Sequence, residues 1–220
     1  MLTKPEKIFT IIYCFILFAE LYTATQYETW HYFAKPGLLV SLIVFYIIQC
    51  NGIHTKIKNL TFGALVLSLF GDILLMFVNQ SAHFFTAGLA SFLLAHILYT
   101  LVFLKAKNPT KKPWFFTGIL LVYGVGLFWL LIDNLGEMLL PVFFYMLVIL
   151  TMATAAILRE GRVSKISYNF VLLGAVLFLI SDSLLAINKF YTPLAYSNIS
   201  IMFTYAFAQL FIVFGLLKQQ

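Results

Sequence analysis

Long apolar runs separated by short polar segments extend over nearly the whole chain. A helix that crosses a bilayer needs about 20 mostly apolar residues, and eight runs reach that length. They predict eight transmembrane helices, at about 8–26, 32–50, 60–79, 84–104, 114–132, 139–158, 166–187 and 195–217. All six prolines lie near predicted helix ends, as helix geometry favours. We therefore expect an all-α, polytopic membrane protein with a single transmembrane domain, residues 1–220.

The composition strengthens the membrane assignment. Hydrophobic residues make up 62% of the chain and charged residues 10%, whereas a soluble domain has about 45–50% and about 25%. The first run is long and contains Glu20, so we expect a retained helix and not a cleaved signal peptide. Cys14 and Cys50 lie in apolar runs without metal or disulfide spacing, and we interpret them as packing residues.

The positive charges predict the orientation. Twelve of the 14 Lys and Arg residues lie in the N-terminal segment, the 51–59, 105–113 and 159–165 loops and the C-terminal tail. Only Lys35 and Lys189 fall on the other side. The positive-inside rule therefore predicts that both termini are cytoplasmic, and the net charge of +6 indicates contact with anionic headgroups, not with nucleic acid. The short loops favour a bacterial inner membrane, and the oligomeric state is open.

Two similar segments point to an internal repeat. LFGDILL at 69–75 and LISDSLL at 179–185 each lie in the third helix of a four-helix half. Two interpretations stay open. The halves are parallel four-plus-four repeats, since an even number of helices inserts each half the same way up, or the similarity is a chance result of apolar composition.

Two aspartates, Asp72 and Asp182, lie well inside predicted membrane helices. A carboxylate at the bilayer centre costs about 2.5–3.5 kcal/mol on insertion scales, so such groups usually mark a functional site, with a structural tie between helices as the alternative. Counted from the predicted outer ends, Glu20 and Lys35 fall in the same slab of membrane. Lys35 either extends its ammonium group to the surface or contacts an anionic partner.

Other polar side chains point into the predicted bundle. His96 and Tyr99 share a face of the fourth helix. Asn198, Tyr205 and Gln209 form a stripe on the eighth, and Tyr145 and Thr151 in the sixth are lesser candidates. A lone histidine more often packs than binds a metal, and no HExxH or Cys/His cluster is present.

When two aspartates share a site without water, burial and mutual repulsion favour a state in which one carboxyl group is protonated and the other is ionised. The pair then supplies one acid and one base. Such a pair can break an acid-labile bond to oxygen through an oxocarbenium-like state. It can equally form the proton relay of a transporter for a small or lipid-like solute. A third hypothesis is a structural protein. No predicted helix is broken by Gly or Pro near its middle, as a discontinuous transporter helix usually is.

Several motifs resemble the lysoplasmalogenase family of small eight-helix membrane proteins. They are KPG at 35–37, SLFGDILLMF at 68–77, GLASFLLAHILY at 88–99, LFLISDSLLAI at 177–187 and TYAFAQLFIVFG at 204–215. KPG departs from the KPL expected of the family.

The resemblance implies hydrolysis of the vinyl-ether bond of lysoplasmalogens to a fatty aldehyde and a glycerophospho-headgroup, without a metal or organic cofactor. It implies Asp72 and Asp182 as the acid/base pair. The substrate-binding residues we expect are Lys35 at the phosphate, His96, Tyr99 and Gln209 around water or glycerol, and Tyr205, Ser68, Glu20 and Asn198.

Overall fold

The computed structural model describes residues 2–219, apart from the side chain of Glu28. Over these residues the chain forms eight α-helices and one 3-10 turn, Gly136–Met138, and no strand. The helices are α1 Lys4–Gln26, α2 Glu28–Gln49, α3 Thr55–Leu75, α4 Ala82–Lys105, α5 Trp114–Leu135, α6 Leu139–Ile157, α7 Lys165–Phe190 and α8 Ser197–Leu217.

Seven helical stretches of the described chain are long and apolar enough to cross a membrane. One of them, Trp114–Ile157, contains α5, the 3-10 turn and α6. Many large apolar side chains on these stretches are exposed, for example Val122 and Trp129 on α5, which is typical of a surface that faces lipid. The expectation of an all-α, polytopic membrane protein is confirmed, whereas eight crossings stay a prediction.

The chain divides into two compact units. The first extends to Tyr99 and contains α1, α2, α3 and most of α4. The second runs from Thr100 to Gln219 and contains the end of α4 and all of α5, α6, α7 and α8. The single transmembrane domain stays a prediction.

Several helix ends differ from the sequence prediction, and at the starts of α1 and α3 the reason is that polar residues cap the helix. α1 starts at Lys4, since Thr3 Oγ1 accepts from Glu6 N at 3.4 Å and Glu6 Oε2 accepts from Thr3 N at 2.6 Å, which is a capping box. α3 starts at Thr55 behind its cap residue His54 and ends at Leu75, so the predicted range 60–79 is wrong at both ends.

The prediction that every proline lies near a helix end is wrong for Pro36. α2 begins at Glu28, one residue after α1, and continues without a break past Pro36 to Gln49. A proline inside a helix removes one backbone hydrogen bond, but the polar and aromatic residues before it still form the first turns of α2.

Glycines set the closest helix contacts of the second unit, where α7 packs along α8. A Cβ atom at Gly174 would lie 2.8 Å from the Ala208 carbonyl oxygen and 2.7 Å from Ile212 Cγ1. In the first unit, Ser91 Oγ on α4 donates to the Leu67 carbonyl on α3 at 2.6 Å. Small residues of this kind allow membrane helices to approach closely. These contacts position the two helices that carry the aspartates, with Asp72 in the last turn of α3 and Asp182 about two turns before the end of α7.

Candidate functional site

Asp182, in the second unit, is held by a hydrogen bond between α7 and α6. Tyr145 Oη donates to Asp182 Oδ2 at 2.5 Å, a length typical of a hydroxyl bound to a carboxylate. The Tyr145 side chain is buried, and Asp182 is half-buried. Since the ring of Tyr145 is fixed by packing, the bond orients the carboxyl group.

Asp182 and Tyr145 line a groove between α5, α6 and α7. Most of the other lining side chains are apolar. The exceptions, Tyr123 and Ser183, bind each other: Tyr123 Oη donates to Ser183 Oγ at 2.6 Å, and Ser183 Oγ donates to the Leu179 carbonyl at 2.6 Å. The groove therefore offers a carboxyl group to an apolar ligand.

Asp72, in the first unit, is buried on α3, with 3% of its surface exposed. Ser68 lies one turn earlier on the same helix, fully buried, and its hydroxyl has no hydrogen-bond partner among the described residues. Tyr13 and Glu20 of α1 lie close enough to Asp72 to interact with it electrostatically. The interior of the first unit is therefore polar around this carboxyl group.

Glu20 belongs to the same polar region and is also buried. Its Oε1 atom lies 3.4 Å from His31 Nδ1 on α2, and its Oε2 atom has no hydrogen-bond partner among residues 2–219. Lys35, half-buried on α2, interacts electrostatically with Glu20. The first unit thus brings together three of the expected site residues, Glu20, Lys35 and Asp72.

The remaining candidates lie on α4 and α8. His96 and Tyr99 are both fully buried on α4. On α8, Gln209 Nε2 donates to Tyr205 Oη at 3.5 Å, and both residues are buried. Asn198 is exposed in the first turn of α8. The predicted stripe of three is therefore divided, because Asn198 precedes the tightly packed part of the helix.

Three contacts were missed in the sequence. The sequence pattern gives His31 no role, ranks Tyr145 as a lesser candidate and counts Arg159 only among the loop charges. Arg159 is fully buried: its Nη2 atom donates to Ser167 Oγ at 3.1 Å and to Gln219 Oε1 at 3.2 Å, and its guanidinium lies 5.7 Å from the Phe103 ring centre.

Burial lowers the pKa of the Arg159 guanidinium to about 10, so it is still charged at neutral pH. Its partners lie near helix ends of the second unit, which indicates a structural tie. The sequence does not predict this role, because a basic residue in a loop between membrane helices ordinarily indicates only which side of the membrane the loop is on.

Within the described residues, no group of three or more His, Cys, Asp or Glu side chains could hold a metal ion. The acidic and histidine side chains of the first unit meet in smaller sets, such as Glu20 with His31. The site offers carboxyl, hydroxyl, imidazole and ammonium groups.

Comparison with known proteins identifies the family. The model of the YhhN family matches residues 30–216. Lysoplasmalogenase TMEM86B of Homo sapiens is 33% identical over 173 residues, which cover 79% of this chain and 69% of that protein. TMEM86B of Sus scrofa is 33% identical over 68% of this chain and 60% of its own length, and lysoplasmalogenase TMEM86A of Bos taurus is 32% identical over 72% and 65%. No solved structure matches the chain significantly. The chain therefore belongs to the YhhN family, together with these lysoplasmalogenases.

Proposed function

We propose that the protein is an integral membrane hydrolase that cleaves the vinyl-ether bond of lysoplasmalogen-type lysophospholipids. The products are a fatty aldehyde and a glycerophospho-headgroup. The observation that carries the proposal is the hydrogen bond from Tyr145 to Asp182 in a mostly apolar groove. The proposal is also supported by the relatives that match the chain, which are named lysoplasmalogenases.

In the proposed reaction, Asp72 and Asp182 form the acid/base pair. The protonated carboxyl group gives its proton to the vinyl carbon that does not carry oxygen, which leaves an oxocarbenium ion. The ionised carboxylate stabilises this cation, and one of the two carboxylates accepts a proton from the water that attacks it. The hemiacetal then breaks down to aldehyde and alcohol. Each step uses only proton transfer and water.

The other polar residues have supporting roles in this proposal. Lys35 meets the substrate phosphate, with Glu20 as its neighbour. The buried side chains on α3, α4 and α8 orient water or the glycerol hydroxyls: Ser68, His96, Tyr99, Tyr205 and Gln209. Asn198, exposed at the start of α8, contacts the headgroup at the membrane surface.

Amide substitution tests the acid/base pair. Asp72→Asn and Asp182→Asn should fold and insert but lose at least about 10²–10⁴-fold in turnover, the usual contribution of a positioned acid or base. Aldehyde release by pure protein in detergent is the measurement. Asp133→Asn, at an exposed position near the end of α5, is the matched control and should retain activity.

The double variant tests whether the two carboxyl groups act together. Residues that act as one unit are strongly non-additive, so Asp72→Asn/Asp182→Asn should be about as slow as the slower single variant. Full activity in either folded single variant would remove that residue from the mechanism. Absence of aldehyde from wild-type protein, with solute uptake in vesicles, would instead favour the proton-coupled transporter.

We also propose that the chain crosses a bacterial inner membrane eight times, with both termini in the cytoplasm. A straight helix as long as Trp114–Ile157, at 44 residues, would measure roughly 66 Å at about 1.5 Å per residue, twice a hydrocarbon core of about 30 Å. Gly136, with φ of 50°, ends α5, so α5 and α6 each supply one crossing. Four helices per half also support the proposal that the two LFGDILL-like segments arose by duplication.

A further inference from the structure

Three consecutive residues of α7 each bind a different neighbouring helix. Ser181 Oγ donates to the Ile201 carbonyl on α8 at 3.0 Å. The next residue, Asp182, accepts from Tyr145 on α6, and the residue after it, Ser183, accepts from a tyrosine on α5. Within a single turn, α7 is therefore joined to α5, α6 and α8.

The hydroxyl group of Ser183 is fixed by two partners. A serine hydroxyl has one proton to donate, and Ser183 gives it to the Leu179 carbonyl, one turn earlier on α7, at 2.6 Å. Toward α5 it can then only accept, and Tyr123 Oη donates to it at 2.6 Å. Ser181 and Ser183 are 2% and 6% exposed, so water does not compete for their bonds.

The two serines lie on either side of the carboxyl group around the helix. Because an α-helix has about 3.6 residues per turn, successive side chains point about 100° apart. Ser181 and Ser183 therefore point away from Asp182 in opposite directions around α7. A rotation of α7 that turned Asp182 away from Tyr145 would also break the bonds of the serines to α8 and α5.

The bonds beside Asp182 are not needed merely to join α7 to α8. At the start of α7, Ser164 Oγ donates to the Lys218 carbonyl at 2.9 Å, and Ser167 Oγ donates to the Gly215 carbonyl at 2.7 Å. These bonds already connect α7 to the end of α8. The bonds beside Asp182 lie about four turns further along α7, so they add a local restraint on rotation at the carboxyl group.

We propose that Ser181 and Ser183, together with Tyr123, are positioning residues for Asp182. They hold α7 at the rotation at which Asp182 binds Tyr145, and they act on the reaction only through that carboxyl group. Their effect on turnover rests on the proposed hydrolysis. The positioning itself is a property of the second unit and can be measured without substrate.

Carbon-13 NMR of the carboxyl groups tests the positioning without turnover. The chain contains three aspartates, so protein labelled at the aspartate carboxyl carbon gives three such signals, and Asp182→Asn identifies one of them. Tyr145→Phe gives the shift produced when the bond to Asp182 is lost. In pure protein in detergent, Ser181→Ala/Ser183→Ala should move the Asp182 signal toward the value in Tyr145→Phe.

Two further variants complete the NMR comparison. Tyr123→Phe removes the donor to Ser183 from outside α7 and should shift the Asp182 signal in the same direction by a smaller amount. Tyr123 is 40% exposed, so this variant should fold even if the serine variants do not. Ser200→Ala is the matched control, because the Ser200 hydroxyl bonds to carbonyl groups at the start of its own helix, and it should leave the signal unchanged.

Turnover tests the consequence for the proposed reaction. Ser181→Ala and Ser183→Ala should each lower kcat about 2- to 10-fold, the range that corresponds to one hydrogen bond between neutral groups, with KM nearly unchanged. Because the remaining bond still restrains α7, the double variant should lose more than the product of the two single losses. Losses that only multiply would show that the serines act independently, which contradicts a shared restraint on the rotation.

The positioning role and the proposed hydrolysis fail in different ways. An unchanged Asp182 signal in folded Ser181→Ala/Ser183→Ala, or in folded Tyr123→Phe, would overturn the positioning role, whatever the protein hydrolyses. Shifted Asp182 signals without aldehyde release by wild-type protein would keep the positioning role and remove the proposed hydrolysis.

Discussion

The hydroxyl group of Tyr145 binds the carboxyl group of Asp182 and helps to orient it. The Tyr145–Asp182 bond joins residues 37 positions apart on two helices, in a groove with little other polar surface. Hydrogen bonds to charged groups contribute about 1.5–3 kcal/mol, more than those between neutral groups. Tyr145 is therefore a positioning residue for Asp182 in the proposed reaction.

Removal of that hydroxyl gives a residue-scale prediction. Tyr145→Phe keeps the ring and its packing but loses the donor, so kcat should fall roughly 10- to 100-fold, equivalent to about 1.5–3 kcal/mol. KM should change little, and the unfolding temperature should stay near that of wild type. Kinetics of aldehyde release in detergent measure the first two quantities, and Tyr191→Phe, at an exposed position, is the control. An unchanged kcat would show that Asp182 does not need this partner.

At the scale of elements, most helices follow from apolar runs, but their packing follows from a few small residues. α7 and α8 approach so closely at Gly174 that an added Cβ atom would meet backbone atoms, the Ala208 carbonyl oxygen at 2.8 Å and Ile212 N at 2.9 Å. Backbone cannot give way as a flexible side chain can. The contact therefore requires glycine, although glycine itself disfavours a helix by about 1 kcal/mol relative to alanine.

Alanine substitution separates these two effects. Gly174→Ala should destabilise the protein by about 1–3 kcal/mol, the usual cost of overpacking, because α7 and α8 must move apart. Gly126→Ala, on α5 with no atom within 4 Å of the added Cβ, should leave stability unchanged or raise it slightly. Thermal unfolding of both variants in one detergent compares them. A Gly174→Ala protein as stable as Gly126→Ala would contradict the close approach of the helices.

For the whole molecule, the hydrophobic pattern predicted an all-α membrane protein, and the basic residues predicted its orientation. The number of times the chain crosses the membrane is the quantity to measure. It depends on whether Trp114–Ile157 crosses the membrane once or twice. Two crossings place the 105–113 and 159–165 loops on the same side, and one crossing places them on opposite sides.

Cysteine labelling resolves this difference. In a background with Cys14 and Cys50 replaced by alanine, Lys107→Cys and Arg162→Cys should be protected from an impermeant maleimide in intact cells. Glu137→Cys, between α5 and α6, should be labelled. All three positions should react after permeabilisation, which controls for local accessibility. If only one of the two basic loops is labelled in intact cells, the loops lie on opposite sides of the membrane. Trp114–Ile157 would then cross the membrane once and not twice.

The sequence by itself determined the properties that depend on how each segment partitions between water and lipid. Apolar runs of sufficient length form helices in the membrane because every backbone polar group must be satisfied within the segment. The same reasoning marked Asp72 and Asp182 as costly, and therefore informative, residues. Hydropathy did not predict the start of α3, which is capped by His54. It also did not predict that α2 begins before Pro36 and continues past it.

Only the tertiary structure decided which side chains meet. Whether Tyr145 reaches Asp182, whether Arg159 is buried, and whether Asn198 is exposed all depend on the rotation and closeness of helices distant in the chain. Hydropathy is nearly the same around a membrane helix, so it does not encode these rotations. They are set by close packing at a few small residues and by hydrogen bonds between helices, which exist only once the helices have assembled.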